Sequence, residues 1–173
     1  MKLALRLANT ERFALFLLLS LFAVAACKAQ VTQQDLIPLD EFPKGTLEIQ
    51  HDKQAHKFDI WIAESPRQQQ QGLMFVRDLP QDRGMLFIAD PPRVFSMWMM
   101  NTYIPLDMVF VGADGRIKKI APNATPHSLA TISSEEPVKA IVELRAGEAA
   151  RRELKVGDRV SWKTSAGSTT LNR

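Results

Sequence analysis

Residues 84–110, GMLFIADPPRVFSMWMMNTYIPLDMVF, decide how this chain is to be read. The stretch is dense in Met, Phe, Ile and Val, the composition of strands buried in a core. Asp90-Pro91-Pro92 divides it, predicting one strand over Met85–Ala89 and a second over Val94–Met100. Asn101, Thr102 and Asp107 stand inside the apolar run. An unpartnered polar group in such surroundings costs a few kcal/mol, roughly 2–7. These three are therefore either hydrogen-bonded within the core or gathered at a site.

Outward from this stretch the pattern is mostly alternation. Thr46–Gln50 and Phe58–Ile62 alternate across a polar turn at Asp52-Lys53-Gln54. Ser65-Pro66-Arg67-Gln68 reads as a helix start, with Ser as N-cap, Pro at the first position and Gln completing a capping box. Gly72 ends that helix. Asp107–Val111 and Arg116–Ala121 flank Gly112-Ala113-Asp114-Gly115, a hairpin signal. Val138–Leu144 is a further strand, Glu148–Leu154 a helical turn, and Val160–Trp162 a last strand. The expected fold is mainly β, a compact antiparallel sandwich or barrel with one or two short helices.

Two sections, QGLMFVRDLPQDRGMLF (residues 71–87) and FSMWMMNTYIPLDMVF (residues 95–110), resemble the microbial family catalogued as domain of unknown function 192. The resemblance extends roughly from Phe58 to Trp162. Gly72-Leu73-Met74, Gly84-Met85-Leu86-Phe87, Trp98-Met99 with Asn101-Thr102, Pro105-Leu106-Asp107, and Glu143-Leu144 with Ala146-Gly147 carry it. It implies a compact mainly-β domain and no activity, since the family lacks an agreed role. The family pattern usually has Phe where this chain has Met97, and often Lys where it has Met100. No role that needs that Lys carries over.

The N-terminus reads as a targeting segment. Lys2, Arg6 and Arg12 precede an apolar run, Phe13–Ala26, broken by Ser20, the anatomy of a secretory signal. Val24-Ala25-Ala26-Cys27 matches a bacterial lipobox, so Cys27 is the expected lipidation site; ordinary cleavage near Ala29 and a retained anchor are the alternatives. The expected organisation is signal peptide with lipobox over 1–27, tether over 28–45, one β domain over 46–163 and a flexible tail over 164–173. The protein is expected to be exported, periplasmic or otherwise extracytoplasmic, with the membrane as partner through its lipid or signal segment. Lys28, in place of an inner-membrane-retaining Asp, points towards the outer membrane.

Composition narrows the chemistry. Cys27 is the sole cysteine, so no intrachain disulfide forms. Residues 1–27 hold three basic residues and one acidic, so the net charge of +3 falls to +1 for the remainder. Nucleic acid is therefore not an expected partner. No GxSxG elbow, phosphate loop, HExxH or CxxC appears, and His51, His56 and His127 are scattered, so no metal or cofactor is expected. Met97, Met99 and Met100 with His127 suit Cu(I) as ligands, but their alternation is that of core.

The candidate ligand-binding residues are Trp98, Asn101, Thr102, Asp107 and Glu143. Trp98 with Trp61 could form a stacking wall, although core packing is the commoner use of tryptophan in a small β domain. Asn101 and Thr102 could bind a small polar ligand, or cap the loop while Asp107 ties down backbone amides. Alternation points Glu143 outward. The leading expectation is a non-enzymatic binding module for a small polar ligand or partner at the membrane surface. The alternatives are a hydrolase or isomerase using Asp107 or Glu143, and a structural envelope accessory protein.

Overall fold

In the computed structural model the residues described are 36–165. The signal segment, Cys27, residues 28–35 of the tether and most of the tail lie outside them. The strands are β1 (Lys44–His51), β2 (Gln54–Ala63), β3 (Arg83–Arg93), β4 (Ser96–Met97), β5 (Leu106–Val111), β6 (Ile117–Ala124), β7 (Ile132–Ser133), β8 (Val138–Arg145) and β9 (Arg159–Thr164). Two short helices, α1 (Pro66–Gln71) and α2 (Glu148–Arg151), complete the fold.

Seven strands form one sheet in the order β6-β5-β8-β3-β2-β1-β9, and β4 and β7 form a separate ribbon. The fold is mainly β, as expected. Every neighbouring pair in the large sheet is antiparallel except β2 and β3, which run parallel. A parallel pair needs a crossover, and here α1 and the loop after it supply one. The edges approach where Arg116 bridges Arg159, with Ile117 N–H donating to Asp158 O at 2.9 Å and Val160 N–H to Gly115 O at 2.8 Å. The ladder goes no further, so the sheet curls into a sandwich-like arrangement without closing into a barrel.

Both faces of the sheet are buried. One apolar cluster draws on all seven strands, among them Leu47, Phe58, Leu86, Val109, Ile117 and Val160. The opposite face, including Met85, Phe87, Met108, Phe110 and Ile141, is covered by Phe42, Leu73, Leu79, Phe95 and Met99 from the connecting segments. Burying one such side chain is worth about 1.5–3 kcal/mol. With two covered faces, β5 is buried at all six positions and shows no polar alternation.

Local signals read well. Gln68 N–H donates to Ser65 Oγ at 3.2 Å and Ser65 N–H to Gln68 Oε1 at 2.9 Å, closing the capping box of α1. Gly112 N–H donates to Arg116 O at 2.9 Å in the β5–β6 turn, with Gly115 at φ 74°.

Three expectations need correcting. Asp90-Pro91-Pro92 does not end a strand, because β3 runs through to Arg93. The strand expected over Val94–Met100 shrinks to Ser96–Met97, since Met99 N–H turns to Ser128 O and Asn101 adopts φ 57°. The helix expected over Glu148–Leu154 stops at Arg151.

Asp107 ties three elements together. Its Oδ1 accepts from Asn123 N–H and its Oδ2 from Ala149 N–H, both at 2.9 Å, and the residue is 0% exposed. Ala149 lies in the first turn of α2, whose N-cap, Gly147, has no side chain to offer. Asp107 thus serves β6 and α2 from β5. Asp107→Ala is expected to destabilise the protein by about 2–3 kcal/mol, because the Ala149 amide loses its partner inside the core and the Asn123 amide loses its own at the core's margin. Asp107→Asn retains one acceptor and turns an NH2 group toward an N–H, so it too is expected to lose stability. Urea denaturation checks both, and unchanged midpoints would contradict this role.

Candidate functional site

Glu143 is the residue whose surroundings are hardest to reconcile with structure alone. Its neighbours in β8, Val142 and Leu144, belong to the seven-strand cluster, so alternation sends Glu143 to the opposite face. There it lies in register between Met85 of β3 and Met108 of β5. The residue is 4% exposed, which corrects the outward orientation expected from the sequence. That expectation assumed a wet face, and β8 has none.

The loop after α1 folds over this carboxyl. Gly72 closes α1 at φ 51°, ψ −137°, a conformation open to glycine, and a Cβ there would stand 3.2 Å from the Phe87 ring and 3.7 Å from Glu143 Oε2. The turn aims the Leu73 N–H at the carboxyl group. Glu143 Oε2 is buried and has no hydrogen-bond partner among the described residues. Burial pushes its pKa up from the ordinary 4.5 to about 8, against the smaller downward pull of the Leu73 amide. Glu143 is therefore protonated at neutral pH. Its unmatched O–H costs about 1–3 kcal/mol, a cost that a bound acceptor would relieve.

Glu143 lines a groove of about 300 Å³ together with Trp98 and Thr102. The walls are largely apolar: Leu73, Met74, Phe87, Phe95 and Met97. Trp98 is 49% exposed at its rim, not packed in the core, because the two-residue β4 leaves it uncovered. Thr102 is buried and its hydroxyl donates to Met100 O at 3.4 Å, a weak bond. Trp61 is elsewhere, on β2 under the Arg83 guanidinium at 4.8 Å, and forms no wall with Trp98.

The structure thus brings together Trp98, Thr102 and Glu143 and leaves Asp107 apart. Asp107 shares a sheet face with Val109, while Glu143 shares one with Met108, so the two carboxyls point away from each other. Asn101 O accepts from Phe75 N–H at 2.8 Å, which fixes the loop that covers the groove. Met99 is core, whereas Met97 lines the groove. Depressions of about 380 Å³ across β1, β2 and β9 and about 520 Å³ at the β1–β2 turn hold none of the candidate residues.

Gln71 was not legible as part of the site. This buried amide accepts from Ile37 N–H at 2.7 Å and donates to Ile37 O at 2.8 Å, docking the entering chain beside the groove. Its neighbours are three more glutamines, and a Gln run offers no clue to which one faces inward.

The family model for domain of unknown function 192, described as "Uncharacterized ACR", matches residues 47–162. A crystal structure of a protein from Sinorhizobium meliloti 1021, described as a candidate transcription regulator, is similar at 39% identity with a TM-score of 0.68. The similarity covers 73% of this chain and 97% of that one. A protein of unknown function from Novosphingobium aromaticivorans DSM 12444 is similar at 35% identity with a TM-score of 0.69, over 72% of this chain and 89% of that one. No curated protein matches the chain.

The raised pKa fixes a sign for the pH dependence of stability. The folded carboxyl holds a proton that the unfolded chain releases above its ordinary 4.5. Its contribution is complete below that value and is lost as pH rises through about 8. At about 1.4 kcal/mol per unit the span sets an upper limit of about 5 kcal/mol. Glu143→Gln, which cannot ionise, is expected to unfold near the wild-type temperature at about pH 5 and well above it at about pH 9. A difference that does not change with pH would contradict the burial of this group.

Proposed function

The chain belongs to domain of unknown function 192, a family without an assigned activity, and on that premise we propose that it is an exported, lipid-anchored binding module whose site is the Glu143 groove. The observation that carries the binding reading is the buried, unpartnered Glu143 Oε2 at the end of a largely apolar groove rimmed by a half-exposed Trp98. Concave apolar sites with a few convergent polar groups are the usual form of small-molecule sites. Export and anchoring rest on the positive n-region, the apolar run and Val24-Ala25-Ala26-Cys27. A nucleic-acid role finds no support in a net charge of +1 over residues 28–173.

Proton-transfer catalysis by Glu143 is the second reading, favoured by a pKa of about 8, close to a working pH. Against it, no second ionisable side chain lines the groove among the described residues. Hydrolysis and isomerisation ordinarily use an acid and a base together. Asp107, the other carboxyl considered, has both oxygens on backbone amides.

A thermal-shift screen of the purified protein with neutral, cationic and anionic fragments tests the binding reading. A ligand at a hundredfold excess over Kd is expected to stabilise by about 2.7 kcal/mol. Trp98→Ala, a change at a half-exposed position, is expected to keep the fold and lose the response. No hit, or hits indifferent to Trp98→Ala, would contradict the site. For the anchor, intact-mass analysis of the membrane fraction is expected to find acylated Cys27, and Cys27→Ser to abolish acylation. A mature form starting after Cys27 without acyl mass would contradict anchoring.

A further inference from the structure

The polar inventory of the groove says what kind of molecule it suits. Gln69 donates to Ile88 O at 2.9 Å and Ala63 O at 3.3 Å, and its Oε1 accepts from Arg93 at 3.3 Å. Gln71 is used at both ends by Ile37. What remains for a ligand is the Glu143 carboxyl in the interior, the weakly bonded Thr102 hydroxyl, and Ser96 and Gln70 on the exposed rim. A polyhydroxylated molecule would bury more hydrogen-bonding groups than this set can meet.

Charge narrows the class further. Around Glu143 the register neighbours are Met85 and Met108, and the covering loop is Gly72-Leu73-Met74, so no cation faces it from β3, β5 or that loop. Arg93 stands at the groove margin, held over the Phe95 ring at 3.7 Å and bonded to Gln69. A ligand cation would require Glu143 to ionise in an apolar setting, and a ligand anion would face a carboxyl and lose its hydration. An uncharged acceptor requires neither. The Leu73 amide lies beside the carboxyl, and Oε2 has no hydrogen-bond partner among the described residues.

Resting on the binding reading above, we propose that the groove takes an uncharged, largely apolar molecule bearing a hydrogen-bond-accepting oxygen, such as a ketone or ester. The acceptor meets Glu143 Oε2, and a flat or aliphatic body lies along Phe95, Met97 and Trp98. Because the protonated carboxyl is the donor, affinity falls as Glu143 loses its proton. Glutamine at this position also offers a donor, an N–H that does not titrate.

Four probes of similar size separate the alternatives: acetophenone (neutral acceptor), benzylamine (cation), benzoate (anion) and toluene (no acceptor). Each is titrated into the purified protein and followed through the NMR methyl signals of Leu73, Met74 and Met97. Acetophenone is expected to bind at least about tenfold more tightly than the other three at about pH 6, and about tenfold or more weakly at about pH 9 than at pH 6. In Glu143→Gln its affinity is expected to be the same at both pH values. Tighter binding of benzylamine or benzoate would overturn the ligand class while leaving the groove as a site. Equal wild-type affinity for acetophenone at both pH values would overturn the role of the Glu143 proton. Absence of groove shifts with all four, alongside an empty fragment screen, would overturn the binding reading itself.

Discussion

Covering both faces of the β5–β8 pair obliges every polar group between them to find a partner inside the protein. β5 is buried throughout, and β8 is buried at Val138, Ala140 and four successive positions, Ile141–Leu144. Water can rescue nothing there, so the fate of a carboxyl depends on which amides the chain brings to it. The fold presents two carboxyls on this one pair, one per face, and solves them differently.

Asp107 receives two backbone amides and becomes a joint between β5, β6 and α2. Glu143, adjacent to it across the ladder but facing the other way, has the Leu73 amide beside it and keeps Oε2 unmatched among the described residues. Desolvation then dominates, and the group stays protonated near neutrality. The backbone supports this arrangement at close range. Gly84 lies where a Cβ would come within 2.6 Å of Glu143 O, so glycine there lets β3 approach β8. Gly72 lets the covering loop reach Phe87 and Glu143 in turn. A purely structural carboxyl at this position would be expected to have a partner for each oxygen, as Asp107 does.

The sequence showed most of the elements but less of the site. The capping box of α1 and the β5–β6 hairpin were legible because their signals are local, set within four or five residues. The parallel register of β2 and β3 was not, since it depends on α1 and a loop that could carry the chain to either edge. Trp98, Thr102 and Glu143 were identifiable as unusual residues. Their convergence was not, because the decisive fact is which face of β8 Glu143 occupies, and an apolar run such as Val138–Leu144 loses its alternation when both faces are covered. Asn101 and Asp107 stood out for the same reason as Thr102, being polar in an apolar run, yet they hold the surrounding loops and strands.

The protonation state of Glu143 is the point from which the groove's chemistry follows. The most direct measurement is a pH titration of its side-chain carboxyl by carbon-13 NMR in the folded protein. A midpoint near the value of about 8 that burial imposes is expected, in a single step, with the signal absent from Glu143→Gln. A midpoint at the ordinary 4.5 would mean that water reaches the carboxyl, and would contradict a protonated Glu143 in the groove.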